Sequence, residues 1–368
     1  MPVVPDTRLV NPEVISYLGC MPPLSSDITR HVRGFPAALT ELREIPAGTE
    51  PDLVLGLLGL LRTAGMSITY AEAEVLSGHA AQFLYSREQP ECAQLAFAPP
   101  VDTLFRALDV TWKEVIPSGP STAFEVLRGW IAEERIALVR LKEPMIIYGH
   151  RRVGIEHSLL VARLQLRLSE ETMTLDDCDR QYWRYPLDDG NVLLAVEHAP
   201  RRIENLTELV SMAARRAVRQ WHTADLAGCA SGDEAYRRLA ADLTDPAVDF
   251  GDETSCAWMG RPLWIQWTAR ISSQIFFDRA APRFGGADRS AVAKAAFCYG
   301  ECVNAWRQFA GYLGPTWDHE RLGFPDSFSE DYLRRWRSQD LRMKAVRWLH
   351  EARGWEEKAV AELTKVIR

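Results

Sequence analysis

The stretch Gly65-Met66-Ser67-Ile68-Thr69-Tyr70-Ala71-Glu72-Ala73-Glu74-Val75-Leu76-Ser77-Gly78-His79-Ala80-Ala81-Gln82-Phe83-Leu84-Tyr85 decides the fold when read with Glu156-His157-Ser158-Leu159-Leu160-Val161. Gly65 marks the end of one helix. Thr69 then offers a side-chain oxygen as a cap, and Glu72 three residues on completes a capping-box pattern, so a second helix starts there. Ser77-Gly78-His79 introduces a further helical piece carrying Gln82, Phe83 and Tyr85. The later segment alternates and reads as a strand with a His at its start.

Working outward, the run from Asp52 to Thr63 is apolar on nearly every face and too short to span a bilayer, so it reads as a helix buried on all sides. Gly56 and Gly59 would let another element approach its backbone closely. Beyond it the patterns predict helices over Val101 to Asp109 and Ser121 to Glu134. Strands are expected over Thr111 to Val115, Ile136 to Arg140, Met145 to Tyr148, His157 to Leu168 and Val192 to Val196. Helices followed by antiparallel-looking strands make an α+β pattern rather than alternating βα units. From Ile203 onward the periodicity is helical: 203–224, 233–243, 258–283, 288–313, 330–353 and 355–367. These observations divide the chain into an α+β domain over residues 1–200 and an all-helical domain over 201–368. Residues 1–51 are Pro-broken, with short helical pieces at 6–18 and 37–42.

The 368 residues are enough for two domains, each with its own core, and 47% apolar with 25% charged residues is ordinary for a globular chain. A net charge of −7 argues against nucleic acid or an anionic membrane surface as partner. Neither a membrane span nor a basic-then-apolar leader is evident, so the expected location is the cytoplasm. The seven cysteines are scattered without a CxxC spacing, and disulfides are not expected. Cys298 and Cys302, one helical turn apart, read as small buried side chains. There is no HExxH, Walker loop, GxGxxG before a helix or GxSxG, so neither a cofactor nor a metal is expected.

The pattern Leu-Leu-Arg-Thr-Ala-Gly-x-Ser-x-x-x-Ala-Glu-x-x-x-Leu-Ser-Gly-x-Ala-Ala-x-Phe, from Leu60 to Phe83, resembles the N-terminal domain of the butirosin-type acyltransferase family. Glu143-Pro144-Met145-Ile146-Ile147 and Glu156-His157-Ser158-Leu159-Leu160-Val161 resemble that family's two central strands. The helical remainder is similar in style, with Tyr299 and Trp306 on one long helix. The resemblance implies a papain-like, cysteine-peptidase-like N-terminal domain ahead of the helical one. It also implies acyl transfer in bacterial natural-product biosynthesis, from a small-molecule or carrier-protein-bound acyl substrate. His157 would be the catalytic acid/base, with Asp176 or Asp177 orienting its imidazole. One departure is plain: the start of the 52–63 helix, where the family places its nucleophile, reads Glu50-Pro51-Asp52-Leu53. Cys20 could then reach the site from the irregular N-terminal segment. Alternatively His157 works as a general base without a covalent nucleophile, in transfer, cyclisation or condensation, or the scaffold binds a carrier or peptide without catalysis.

Other candidates come from the residues themselves. A helix start after Gly78 presents free N–H groups to a carboxylate or phosphate, which makes Ser77 and His79 substrate-contact candidates. Gln82 would meet a developing oxyanion if it faces His157, with Tyr85 beside it. Trp264 and Tyr299 would form the wall of a cleft between the domains, although their three-and-four spacing equally fits a packed core. His150-Arg151-Arg152 is expected in a hairpin turn, and Arg270 on a helix surface.

Overall fold

The computed structural model describes residues 28–43, 52–88, 101–140, 144–153, 156–164, 169–178, 192–251, 261–314 and 330–367. Its main sheet is antiparallel and seven-stranded, built from β1 (Ile28–His31), β3 (Thr111–Val115), β4 (Ala137–Arg140), β5 (Met145–Val153), β6 (Glu156–Arg163), β7 (Ser169–Thr174) and β8 (Val192–His198). The order is β3-β8-β4-β5-β6-β7, with β1 lying beside the far half of β5. Strands β1 and β7 were not expected. Both are short and polar, so period-two hydrophobicity gives no signal for them.

Alternation divides the apolar residues between two faces. Leu138, Ile146, Ala162 and Leu194 share a core with α2 (Asp52–Thr63), while Val139, Ile147, Val161 and Leu193 share one with α5 (Pro120–Ala132). A β-carbon on Gly56 would stand 2.5 Å from Leu138 Cδ1 and 2.9 Å from Leu164 Cδ1, and one on Gly59 would stand 2.7 Å from Ile146 Cδ1. Two glycines therefore let the methyl ends of Leu138, Leu164 and Ile146 pack directly against the α2 backbone. Helices α1 (Phe35–Arg43), α3 (Tyr70–Ser77) and α4 (Val101–Ala107) lie on the α2 side of the sheet and share its core.

Strand β5 carries one irregularity. Ile147 pairs with Val161 and Gly149 with Leu160, so Tyr148 is an extra, bulged residue. Beyond the bulge β1 joins β5, and a β-carbon on Gly149 would meet the Arg30 carbonyl oxygen at 2.6 Å. His150, Arg151 and Arg152 therefore belong to a strand paired on both sides and not to a hairpin turn.

The C-terminal region contains α7 (Leu206–His222), α8 (Gly232–Thr244), α9 (Arg261–Ala280), α10 (Gly286–Leu313), α11 (Glu330–Arg337) and α12 (Gln339–Thr364), following the one-turn α6 (Leu175–Cys178). It is mixed, not all-helical. Strands β9 (Asp225–Leu226) and β10 (Cys229–Ser231) form a small sheet with β2 (Leu84–Tyr85) from the N-terminal half. The last helix break falls at Ser338, whose side chain caps α12, while Gly354 lies inside that helix. A capping serine outweighs one helical glycine, which costs only about 1 kcal/mol. Cys229 is disulfide-bonded, against the expectation of free thiols throughout, whereas Cys298 and Cys302 are free and buried.

The two halves share a core. Residues of α2 and α3 pack in one apolar cluster with Ala269, Phe276, Tyr299 and Leu363. The Ser67 N–H donates to the Arg201 carbonyl at 2.9 Å and the Gly232 N–H to the Phe83 carbonyl at 3.0 Å. Residues 65–85 are thus the joint between sheet and helices.

Candidate functional site

The bulge at Tyr148 sets the surroundings of His157. Because one extra residue shifts the phase of β5, His150 pairs with Leu159 and Arg152 with His157, all on the face covered by α5. The two histidines are diagonal neighbours on adjacent strands. Phe124 of α5 meets both edge-on, with ring centroids 5.2 Å from His157 and 6.3 Å from His150. The Nδ1 atoms of both imidazoles are buried and have no hydrogen-bond partner among the described residues. Both side chains are half-buried, so solvent reaches the rings but not their Nδ1 atoms. Burial holds His150 below the usual histidine range, and the charges of Arg30, His157 and Arg128 push it the same way. It is therefore a neutral imidazole at neutral pH, with a lone pair available to take a proton.

Asp177 does not orient this pair through Nδ1. Its carboxylate accepts the Thr174 hydroxyl at 2.6 Å while its own N–H donates to Thr174 Oγ1 at 3.1 Å, capping α6. Asp176 occupies the same helical turn. Cys20 lies outside the described residues, and so does the side chain of Trp264.

The remaining candidates cluster elsewhere. The capping box forms as the sequence implies: the Thr69 N–H donates to Glu72 Oε2 at 2.7 Å and the Glu72 N–H to Thr69 Oγ1 at 3.3 Å. Gly78, at φ +88°, ends α3 in the left-handed conformation open to glycine and turns the chain back over the helix. His79 consequently meets Glu74, with Nδ1–H donating to Oε1 at 3.0 Å, and both side chains are almost wholly buried. The Ser77 hydroxyl donates to the Glu74 carbonyl at 2.8 Å and accepts the His79 N–H at 3.3 Å. His79 Nε2 and Glu74 Oε2 are buried without a partner among the described residues. The carboxylate fixes the tautomer and leaves Nε2 as the free nitrogen, yet nothing from solvent reaches it.

Beyond His79, the Gln82 carbonyl accepts Arg270 Nη1 at 2.8 Å. Arg270 is fully buried rather than on a helix surface, and forms a two-pronged pair with Glu356 at 2.7 and 3.0 Å. Tyr236 donates its hydroxyl to the same carboxylate at 2.6 Å and accepts Trp306 Nε1 at 3.2 Å. The Tyr85 hydroxyl is donated to Asp242. Tyr299 is buried and stacked on Phe277 at 5.8 Å, a core position and not a cleft wall. Burial raises the Tyr85, Tyr236 and Tyr299 phenols and the Cys302 thiol, so none of them supplies an anion at neutral pH.

The main sheet therefore separates the expected site into two. His157 faces α5, whereas Ser77, His79, Gln82 and Tyr85 lie among α3, β2 and the C-terminal helices on the other side. Gln82 does not face His157. Helix α2 also lies on that other side, its Gly56 over Leu164 at the far end of β6, so its first turn is remote from His157. Sequence reasoning missed His150 as a partner of His157, Glu74 as a partner of His79, and Glu356 as the partner of Arg270. Only the second had a signal: a glycine cap between Glu74 and His79 folds residues five apart onto each other.

A surface cavity of about 260 Å³ lies between Thr63, Glu133, Arg135, Glu197 and His198, and includes none of the residues expected from sequence. Among the described residues no group of three or more His, Cys, Asp or Glu side chains is placed to hold a metal ion, and no helix is long and apolar enough to cross a membrane. Comparison with known proteins finds no family model and no curated sequence that matches this chain.

Proposed function

We propose that the protein is an acid–base enzyme of acyl chemistry, acting on an acyl, amide or thioester substrate, of the kind used in bacterial natural-product assembly, without a covalent acyl-enzyme. The observation that carries this is the His150–His157 pair: two reachable imidazoles, neighbours on one sheet face, with His150 held neutral by its surroundings. An acceptor amine or hydroxyl attacks the acyl carbon and passes its proton to an imidazole. The tetrahedral adduct then collapses, the C–S or C–N bond breaks, and the imidazolium returns the proton to the leaving group. Proton transfer of this kind supplies roughly 10²- to 10⁴-fold. Among the described residues the site offers bases and no nucleophile.

The test is thiol release from a panel of acyl thioesters mixed with amines or carrying an internal amine. His157→Ala should lower turnover by about 10²- to 10⁴-fold while the protein stays folded. Release that is equal in the wild type, His157→Ala and His150→Ala would overturn the reading. One observation favours a second reading, a carrier- or peptide-binding protein: α2 offers no nucleophile at its first turn and faces away from His157. That reading expects saturable binding of the same compounds with no turnover.

A further inference from the structure

We infer that Phe124 of α5 is the positioning residue of the His150–His157 pair: it keeps both Nδ1 atoms covered and leaves Nε2 as the nitrogen through which each ring exchanges a proton with substrate. This rests on the acid–base reading above and names the residue and the ring atoms through which it would work. A histidine that moves protons is ordinarily held by a hydrogen bond from its inner nitrogen to a carboxylate or a backbone carbonyl. No such partner exists here among the described residues. Both Nδ1 atoms are buried and unpartnered, and Asp177 is engaged in capping α6. Packing must therefore set the rings.

Phe124 is placed to do so. It is 8% exposed, and its ring meets both imidazoles edge-on, an arrangement that aromatic rings prefer. Its own place is fixed by the helix, because Ala123, Leu127, Trp130 and Ile131 bury the same side of α5, and Phe124 shares one apolar core with Leu159 and Val161 of β6. Burial without a partner falls on Nδ1 and not on Nε2 in both half-buried rings, so Nε2 is the nitrogen on the open side.

The same cover bears on basicity. Burial is the first cause of the lowered His150 pKa, and Phe124 supplies part of it. The charges that push the same way come from Arg30 of β1, His157 of β6 and Arg128 of α5, the last paired with Glu125 at 2.7 Å. They stay in place when Phe124 is truncated. Truncation should therefore raise the His150 titration midpoint toward the ordinary histidine range without reaching it.

The experiment is histidine-selective nitrogen NMR of the full chain as wild type, Phe124→Ala and Phe124→Leu, each titrated with acid and each read again after alkylation with iodoacetate at neutral pH. The expected result in the wild type is substitution at Nε2 alone in both rings. In Phe124→Ala the His150 midpoint rises and Nδ1 products appear, whereas Phe124→Leu, which keeps an apolar cover, restores the wild-type midpoint and products. A merely structural role would move none of these while the protein stays folded. Nδ1 substitution in the wild type overturns the inference, and so does a Phe124→Ala protein with the wild-type midpoint and products. If Phe124→Ala fails to fold, Phe124→Val uncovers the rings in its place under the same criteria. No turnover is read, so failure here leaves the acid–base reading to the thiol-release assay, and failure of that assay leaves the ring orientation as measured.

Discussion

At the residue scale, the buried pairs carry the sharpest consequences. Glu74 is wholly buried with His79 as its side-chain partner, and truncating one member of such a pair strands the other in a low-dielectric interior. Glu74→Ala leaves the buried His79 Nδ1–H without its acceptor and should lower unfolding free energy by roughly 1–3 kcal/mol. Urea unfolding of the single and double variants measures it, and a Glu74→Ala, His79→Ala cost equal to the sum of the singles would show that the two do not interact. His150 makes a pH prediction whose sign follows from its lowered pKa. Its stability contribution is complete above the unfolded value of about 6.5 and is lost as the pH falls through the folded value below it. Unfolding midpoints from pH 7 to pH 5 should therefore fall in the wild type, and fall less in His150→Asn. A steeper acid loss in the variant would contradict the assignment.

At the element scale, two glycines in helices should respond oppositely. Gly59 sits where a β-carbon would meet the Ile146 Cδ1 methyl at 2.7 Å, so Gly59→Ala must displace that buried side-chain end, at a cost of about 1–3 kcal/mol. Gly354, inside α12, has nothing within 4 Å of an added β-carbon, so Gly354→Ala should stabilise by about 0.5–1 kcal/mol. Thermal melts of the two variants compare them directly, and a stabilised Gly59→Ala would mean that the Ile146 methyl moves aside at no cost. The elements themselves were mostly legible. Helix α2 and strand β3 have the expected bounds, because their periodicity is strong and their ends are marked by Thr63-Ala64-Gly65 and by Pro117. Strands β1, β9 and β10 were not legible, since four or fewer residues carry too little pattern to read.

At the scale of the whole molecule, the segment from Ser67 to Tyr85 is held from both sides. It shares its core with α2 and donates or accepts bonds to Arg201, Gly232 and Arg270, while β2 pairs with β10. Residues 1–200 expressed alone should therefore lack a cooperative unfolding transition and bind a hydrophobic dye, because the α3 and β2 surfaces lose their cover. A sharp two-state melt of that fragment would show that the sheet half is independent. Arg270 is central to this coupling: one guanidinium ties the Gln82 carbonyl to Glu356 on the last helix.

What the sequence alone determined is what repeats or caps locally. It gave up the helical periods, the Thr69–Glu72 capping box, the close approach at Gly56 and Gly59, and the α+β order. Only the tertiary structure decided which residues meet. The single bulged residue at Tyr148 reverses the facing of every side chain after it in β5, and so brings His150 beside His157 without any mark in the local pattern. Arg270 and Glu356 are 86 positions apart, and neither flanking sequence shows that burial will force them together. The physical reason is the same in both cases: hydrophobic period reports which face of an element is covered, whereas ion pairs and shared faces depend on register between elements distant in the chain.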